Sequence, residues 1–355
     1  MTVAGACSHG GIYSVDHKKV RVDFSSNVNP LGAPKRAVKV IEKQAGRLAP
    51  VYPDPECRDL KKELSRHIGF DAGYITVGNG AAEIIYWFAQ AFAKKRVVVP
   101  APTFCEYELA SEKAGAEVTF VPLSEDFALD AEAVIKSARG ADAVFMCNPN
   151  NPTGLLATDA VRKVIEGVDP STTRILLDEC FIELVDKPGE NTLAGMVRKH
   201  ENLVVLRSLT KSFGMAGLRL GYSVSSPALA QAMQARKTPW NVNGLAQAAG
   251  MAALADRGHV ARARALVARE RRFLHDRIKK AGLVPIKSDA NYFLVQIKGD
   301  STEFRDRLLK KTGVLVRDCS TFTGMGERHI RVAIKTHKEN VVLAKALEAM
   351  VVSGG

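Results

Sequence analysis

The chain has 355 residues, 46% hydrophobic and 25% charged, with a net charge of +12 at pH 7. These proportions are ordinary for a soluble globular protein, and the length calls for one large core plus a smaller one. No apolar run approaches the roughly 20 residues of a membrane span, and Met1-Thr-Val-Ala-Gly-Ala-Cys7 has neither the charged start nor the apolar core of a signal peptide. A cytoplasmic protein is expected. The six cysteines are scattered with no Cys-x-x-Cys, and Cys105, Cys147 and Cys180 fall in or beside expected strands. They are expected to be free buried thiols, with no metal site.

Residues 1–35 precede the regular pattern and are expected to form an arm against the smaller domain. From about residue 74 short β-rich runs alternate with helical patterns. The clearest strands are 96–99, 117–121, 143–146, 174–177 and 203–206. Nearly all-apolar strands joined by helices imply a mostly parallel sheet covered on both faces. This is an α/β fold, with a large domain over 36–240. After 240 come long helices, then strands at 291–295, 314–317 and 329–334 and a terminal helix, so 241–355 is expected to be a smaller α/β domain. The basic run from Arg257 to Lys280 carries apolar residues at helical spacing. It is expected to be an amphipathic helix with a solvated basic face, since no nucleic-acid motif or aromatic interleaving accompanies it.

Several strand ends carry chemistry. Gly78-Asn79-Gly80-Ala81-Ala82 opens a helix after strand 74–77, so its N–H groups can cradle a phosphate. Pro102-Thr-Phe104 puts an aromatic ring just past a strand, with Tyr107 in reserve. Asn148-Pro-Asn-Asn151-Pro-Thr-Gly154 follows another, and Asp178 ends the next. Such carboxyl-end positions are the ligand face of an open α/β sheet. Ser208-Leu-Thr-Lys211 follows strand 203–206, and Gly217-Leu-Arg219-Leu-Gly-Tyr222 lies just beyond. A lysine, a serine three residues before it and an arginine eight after it suit a cofactor with both an aldehyde and a phosphate. The amine forms a Schiff base, and the hydroxyl and guanidinium bind the phosphate. That cofactor is pyridoxal 5′-phosphate (PLP). Phe104 then suits stacking on the pyridine ring, Asn151 can donate to the phenolate oxygen, and Asp178 can pair with the ring nitrogen. Should the substrate carry a phosphate, as the family resemblance of these segments implies, Arg317, after Val314-Leu-Val316, is the candidate clamp for it, and that resemblance alone makes His9 a candidate second donor.

Together these segments resemble the fold-type I, aspartate-aminotransferase-like PLP enzymes over essentially the whole chain. The resemblance implies that Lys211 carries the cofactor and that Asn151 and Asp178 hold O3′ and the ring nitrogen. It also implies that Ser208, Arg219, Ala81 and Ala82 bind the cofactor phosphate. Tyr52, in Val51-Tyr-Pro-Asp-Pro55, looks like the tyrosine that reaches the neighbouring subunit's cofactor phosphate, which would make a homodimer with shared active sites. Arg331 looks like the arginine that grips the substrate carboxylate, and Asn27 is expected to bond the substrate. The partners implied are a small phosphorylated amino acid and a second copy of the chain, with no nucleic acid and no membrane.

Two groups within the family compete. Asn27-Val-Asn29-Pro-Leu-Gly32 and Tyr52-Pro-Asp-Pro55 occur in similar form in histidinol-phosphate aminotransferases. His9-Gly-Gly11, Phe181 in Asp178-Glu-Cys-Phe181, Leu206-Arg-Ser-Leu-Thr-Lys211 and Pro239-Trp-Asn-Val-Asn243 look like the L-threonine-O-3-phosphate decarboxylases of cobalamin biosynthesis. Cys180 departs from the alanine usual after Asp-Glu, and Lys335 stands where the decarboxylases can have arginine. L-serine O-phosphate differs from the threonine ester by one methyl group, worth only about 1–3 kcal/mol of discrimination.

Overall fold

The structure is a computed structural model and describes residues 9–352. Met1–Cys7, including the expected thiol of Cys7, lies outside that range. The central sheet has seven strands in the spatial order Ile75–Asn79, Leu220–Ser225, Leu203–Ser208, Arg174–Asp178, Ala143–Cys147, Arg96–Ala101, Glu117–Pro122. The last five pair in parallel, while Leu220–Ser225 runs antiparallel to both its neighbours. Successive side chains on a strand face opposite ways. Val98, Val144, Ile175, Leu177 and Val205 therefore enter one core, and Val97, Val99, Phe145, Leu176 and Val204 the other. Covering helices on both faces explain why these strands read as continuous apolar runs.

A smaller antiparallel sheet is ordered Arg317–Asp318, His329–Ala333, Tyr292–Gln296, Val284–Pro285. Its core contains Val267, Leu274, Phe293, Val295, Ile330, Leu343 and Leu347. The arm joins this unit: Val22–Asp23 pairs in parallel with Val314–Leu315, and Phe24 is fully buried in the same core. The single strand expected over 314–317 is split. Val314–Leu315 pairs with the arm, whereas Arg317–Asp318 pairs with His329–Ala333.

Packing crosses the expected boundary at 240. The helix Gly244–Leu254 buries Ala246, Ala249 and Ala253 in the large unit's core beside Leu60 and Leu220. Its small side chains permit close approach: a Cβ on Gly250 would lie 2.5 Å from a Leu220 methyl. The following helix, His259–Lys280, spans both cores, with Val260 and Ala263 in the large one and Val267, Leu274 and Ile278 in the small one. Its basic face is not merely solvated. Arg271 bonds Asp186 and the carbonyls of Asp289 and Ala290, Arg264 donates to the Glu183 carbonyl, and Arg277 pairs with Glu348.

The cysteine expectation needs one correction. Cys57, Cys147, Cys180 and Cys319 are free, but Cys105 is disulfide-bonded. Among the described residues no helix is long and apolar enough to cross a membrane, and no His/Cys/Asp/Glu group could hold a metal ion.

Candidate active site

Strand register gathers the site. Cys147 pairs with Asp178, Asp178 with Leu206, and Ser208 with Gly221, all near the carboxyl edge of the parallel strands. Beyond that edge lies a cavity of about 260 Å³. His9, Asn27, Ala81, Ala82, Phe104, Asn151, Asp178, Ser208, Lys211, Arg219, Arg317 and Arg331 all line it. Tyr52 does not. It is 78% exposed elsewhere on the surface and stacks on Trp240.

One end of the cavity is built for an anion. The helix Ala81–Phe92 starts there, and its N-cap, Gly80, provides no side-chain acceptor for the first-turn N–H groups. Unsatisfied N–H groups and the helix dipole favour a phosphate. A Cβ on Gly221 would lie 2.5 Å from the Ala81 nitrogen and 2.7 Å from the Gly80 carbonyl carbon, so only glycine lets the strand approach this helix start. Arg219 sits in the left-handed region (φ 55°), and its Nη2 would lie 2.5 Å from a Cβ on Gly80. Ser208 caps the short helix Leu209–Ser212, accepting from the Thr210 N–H at 3.2 Å. The buried Thr210 hydroxyl lines the cavity with no partner. Sequence reasoning passed over Thr210, although it lies inside the Ser208–Lys211 motif.

The middle of the cavity suits a nitrogen heterocycle. Asp178 is buried; it accepts from the Tyr107 hydroxyl at 2.8 Å and the Cys180 N–H at 2.8 Å. Burial still raises its carboxyl above the usual range, so a cationic ring nitrogen would supply a missing counter-charge. Tyr107 is fully buried, stacks on Phe145 at 5.3 Å and holds Asp178 through its hydroxyl; the aromatic residues lining the cavity are Phe104, Tyr107, Phe181 and Phe322. The next residue, Glu179, points the opposite way, pairing with Arg207 at 2.8 Å and accepting from the Leu193 N–H. This buried pair joins the adjacent strand ends that carry Asp178 and Ser208. Lys211 Nζ lies 5.4 Å over the Phe181 ring. Burial, followed by the charge of Arg331, lowers its pKa to about 8. An amine tuned this way has an appreciable free-base fraction near neutral pH.

The far end is strongly cationic. Arg331 is buried, donates through Nη1 to Asn151 Oδ1 and through Nη2 to the Ser25 carbonyl at 2.8 Å, and leaves Nε without a partner. Arg317 is 5% exposed, donates to Thr321 Oγ1 at 2.9 Å and lies 5.2 Å over the Phe322 ring. Burial and the nearby Arg331 charge lower its pKa to about 10. Asn27 is 2% exposed, and both its amide oxygen and nitrogen lack partners. His9 Nε2 is 2.7 Å from Glu106 Oε1, while Tyr86 donates to Glu106 Oε2 at 2.8 Å. Nothing in the sequence pattern marked Glu106. Lys335 is absent from the cavity lining and pairs with Glu339 instead.

An uncapped helix start closed by a glycine, an orphan hydroxyl, a partly deprotonated lysine and a buried carboxylate fit the expected PLP. Comparison with known proteins agrees. The family described as aminotransferase class I and II matches residues 19–348. A putative threonine-phosphate decarboxylase from Caldanaerobacter subterraneus is 36% identical, over 98% of this chain and 94% of its own. A histidinol-phosphate aminotransferase from Symbiobacterium thermophilum is also 36% identical, over 94% and 91%. The crystal structure of histidinol-phosphate aminotransferase from Sinorhizobium meliloti in complex with pyridoxal-5′-phosphate superposes with a TM-score of 0.88 at 25% identity, covering 97% of this chain and 95% of the other. The chain therefore belongs to the class I and II aminotransferase family, has the fold-type I architecture and is an enzyme whose cofactor is PLP.

Proposed function

We propose that the protein decarboxylates L-threonine O-3-phosphate to (R)-1-amino-2-propanol O-2-phosphate, as a cytoplasmic homodimer serving cobalamin biosynthesis. The observation that carries the proposal is the pair of buried guanidiniums, Arg317 and Arg331, facing the same cavity as Lys211. A small amino acid bearing both a carboxylate and a phosphate matches two cations at one end of a small cavity. The arm supports the same reading. His9 and Gly10 line the cavity, and Gly10 packs where a Cβ would lie 2.6 Å from the Ser25 carbonyl. This His-Gly-Gly segment is one of those that resemble the decarboxylases.

Bound PLP supplies an electron sink for the charge left at the substrate α-carbon. Lys211 would carry it, Asp178 would pair with the ring nitrogen, Asn151 would donate to the phenolate oxygen and Phe104 would stack on the ring. Ser208, Arg219 and the N–H groups of Ala81 and Ala82 would hold its phosphate, and Tyr52 would complete the phosphate site of a second subunit. Arg331 holds the substrate carboxylate, with Asn27 beside it, while Arg317 and His9 hold the substrate phosphate. Fixing both ends sets the rotation about the α-carbon and so decides whether the carboxylate or the hydrogen is lost. Lys211 Nζ is the group proposed to hold a proton for the α-carbon.

The second reading is a histidinol-phosphate aminotransferase, favoured by the equal 36% identity to that relative. Phosphoserine decarboxylation is a variant of the first. The test offers the holoenzyme threonine phosphate, serine phosphate and histidinol phosphate in turn, each with 2-oxoglutarate, and assays carbon dioxide and glutamate. Carbon dioxide from threonine phosphate without glutamate supports the decarboxylase. Stoichiometric glutamate from histidinol phosphate, with no carbon dioxide from threonine phosphate, overturns it.

A further inference from the structure

The Pro239-Trp-Asn-Val-Asn243 segment plays no part in the chemistry above, yet its geometry is unusual. Trp240 has a φ of 56°, the left-handed region that bulky residues avoid. Such a conformation persists only where neighbours hold it in place. Trp240 is also 48% exposed, so a hydrophobic core does not impose it. Two contacts flank it. Its ring stacks on Tyr52 with centroids 4.6 Å apart and planes 29° from parallel. The next residue, Asn241, donates through Nδ2 to Glu83 Oε2 at 2.7 Å. The same Glu83 oxygen accepts from the Asn79 N–H at 2.6 Å, at the entry to the Ala81–Phe92 helix. The loop therefore runs from the chain's own phosphate cradle to an exposed tyrosine.

We propose that Trp240 is a positioning residue that holds Tyr52 in the pose required at the partner's cofactor phosphate, with Asn241 anchoring the loop to the chain's own cradle. This rests on the shared-site reading of Tyr52. Tyr52 is 78% exposed, and an exposed tyrosine otherwise samples several rotamers. Ordering it against Trp240 before assembly removes that entropy cost from the dimer site. Each subunit's cradle then sets the geometry of the residue it lends to the other.

The test compares the wild-type holoenzyme with Trp240→Ala, Trp240→Phe, Tyr52→Ala and the Trp240→Ala/Tyr52→Ala double variant. The readouts are the rate of PLP release on dilution, followed by absorbance, and the dimer content by sedimentation. Trp240→Ala is expected to remain dimeric and to release PLP about 2- to 10-fold faster, the factor an aromatic pair is worth. Trp240→Phe should restore most of the wild-type rate. The double variant should release PLP no faster than Tyr52→Ala alone, because the two residues act through one contact. Wild-type release from Trp240→Ala, or multiplying defects in the double variant, overturns the inference while leaving the shared site intact. A monomeric Trp240→Ala chain overturns it by assigning Trp240 to the interface itself. Wild-type release from Tyr52→Ala overturns it by removing the shared-site reading on which it rests.

Discussion

Arg317 should trade stability for substrate recognition, and Arg317→Met separates the two. The guanidinium is 5% exposed, and its pKa is held at about 10 against an ordinary 12.5. That difference corresponds to roughly 3 kcal/mol by which the substrate-free fold disfavours the charged form. A pKa depressed in this way costs stability at every pH below about 10, so the cost is fully present at pH 7. Methionine fills similar space and can keep the contact with Phe322, so the substrate-free melting temperature should stay level or rise. Catalysis should move the other way. A buried charge-assisted contact to the substrate phosphate is worth about 2–5 kcal/mol. Loss of kcat/KM for threonine phosphate should therefore reach about 30-fold to several thousand-fold. PLP content should be unchanged, because the cofactor phosphate is assigned to Arg219 and not to Arg317. Without the phosphate anchor, abortive transamination should rise relative to decarboxylation. The assays are a thermal melt, PLP absorbance, and carbon dioxide release with varied substrate. Unchanged kcat/KM, or PLP lost together with activity, would refute the assignment of Arg317.

Lys211→Ala should fold but lose the yellow colour and the borohydride-reducible link to PLP; a reduced link mapped to another lysine contradicts the assignment. In the wild-type apoprotein, PLP uptake should rise with pH with a midpoint at about 8, where half of the depressed amine of Lys211 is free base, and level off above that. Apoprotein stability should also rise between about 8 and 10.5, since there the unfolded chain binds the proton that the folded chain has released. Gly221→Ala should weaken PLP binding at least tenfold and lower stability by about 1–3 kcal/mol, because its Cβ would meet the backbone of Gly80 and Ala81. Equilibrium dialysis and a denaturant melt check both.

The parts of the molecule legible in the sequence are those set by local pattern. Strands such as Val97–Val99 and Leu203–Leu206 are buried on both faces and leave continuous apolar runs. Asp178, Ser208 and Lys211 sit at or just beyond strand ends, where chain order alone predicts convergence. What stayed hidden depends on long-range packing. Tyr107 was a reserve stacking candidate, but its hydroxyl reaches Asp178, 71 positions away. Glu106 bonds His9 only because the arm folds back over the cavity. The helix Gly244–Leu254 was recognisable as a helix, yet its allegiance to the large unit rests on contacts of small alanines that periodicity does not reveal. The split of Val314–Asp318 between two sheets was likewise invisible, and that split places Arg317 beside Arg331 on the antiparallel pair.

The central claim is that the α-carbon loses its carboxylate and keeps its nitrogen. The most direct test follows both atoms at once, by NMR, in threonine phosphate labelled with ¹³C in the carboxyl group and ¹⁵N in the amine. The wild-type holoenzyme is incubated with it in the presence of 2-oxoglutarate. The account predicts that ¹³C appears as bicarbonate while ¹⁵N remains on a three-carbon phosphate ester. Transfer of ¹⁵N to glutamate, with ¹³C retained in the organic acid, would contradict it.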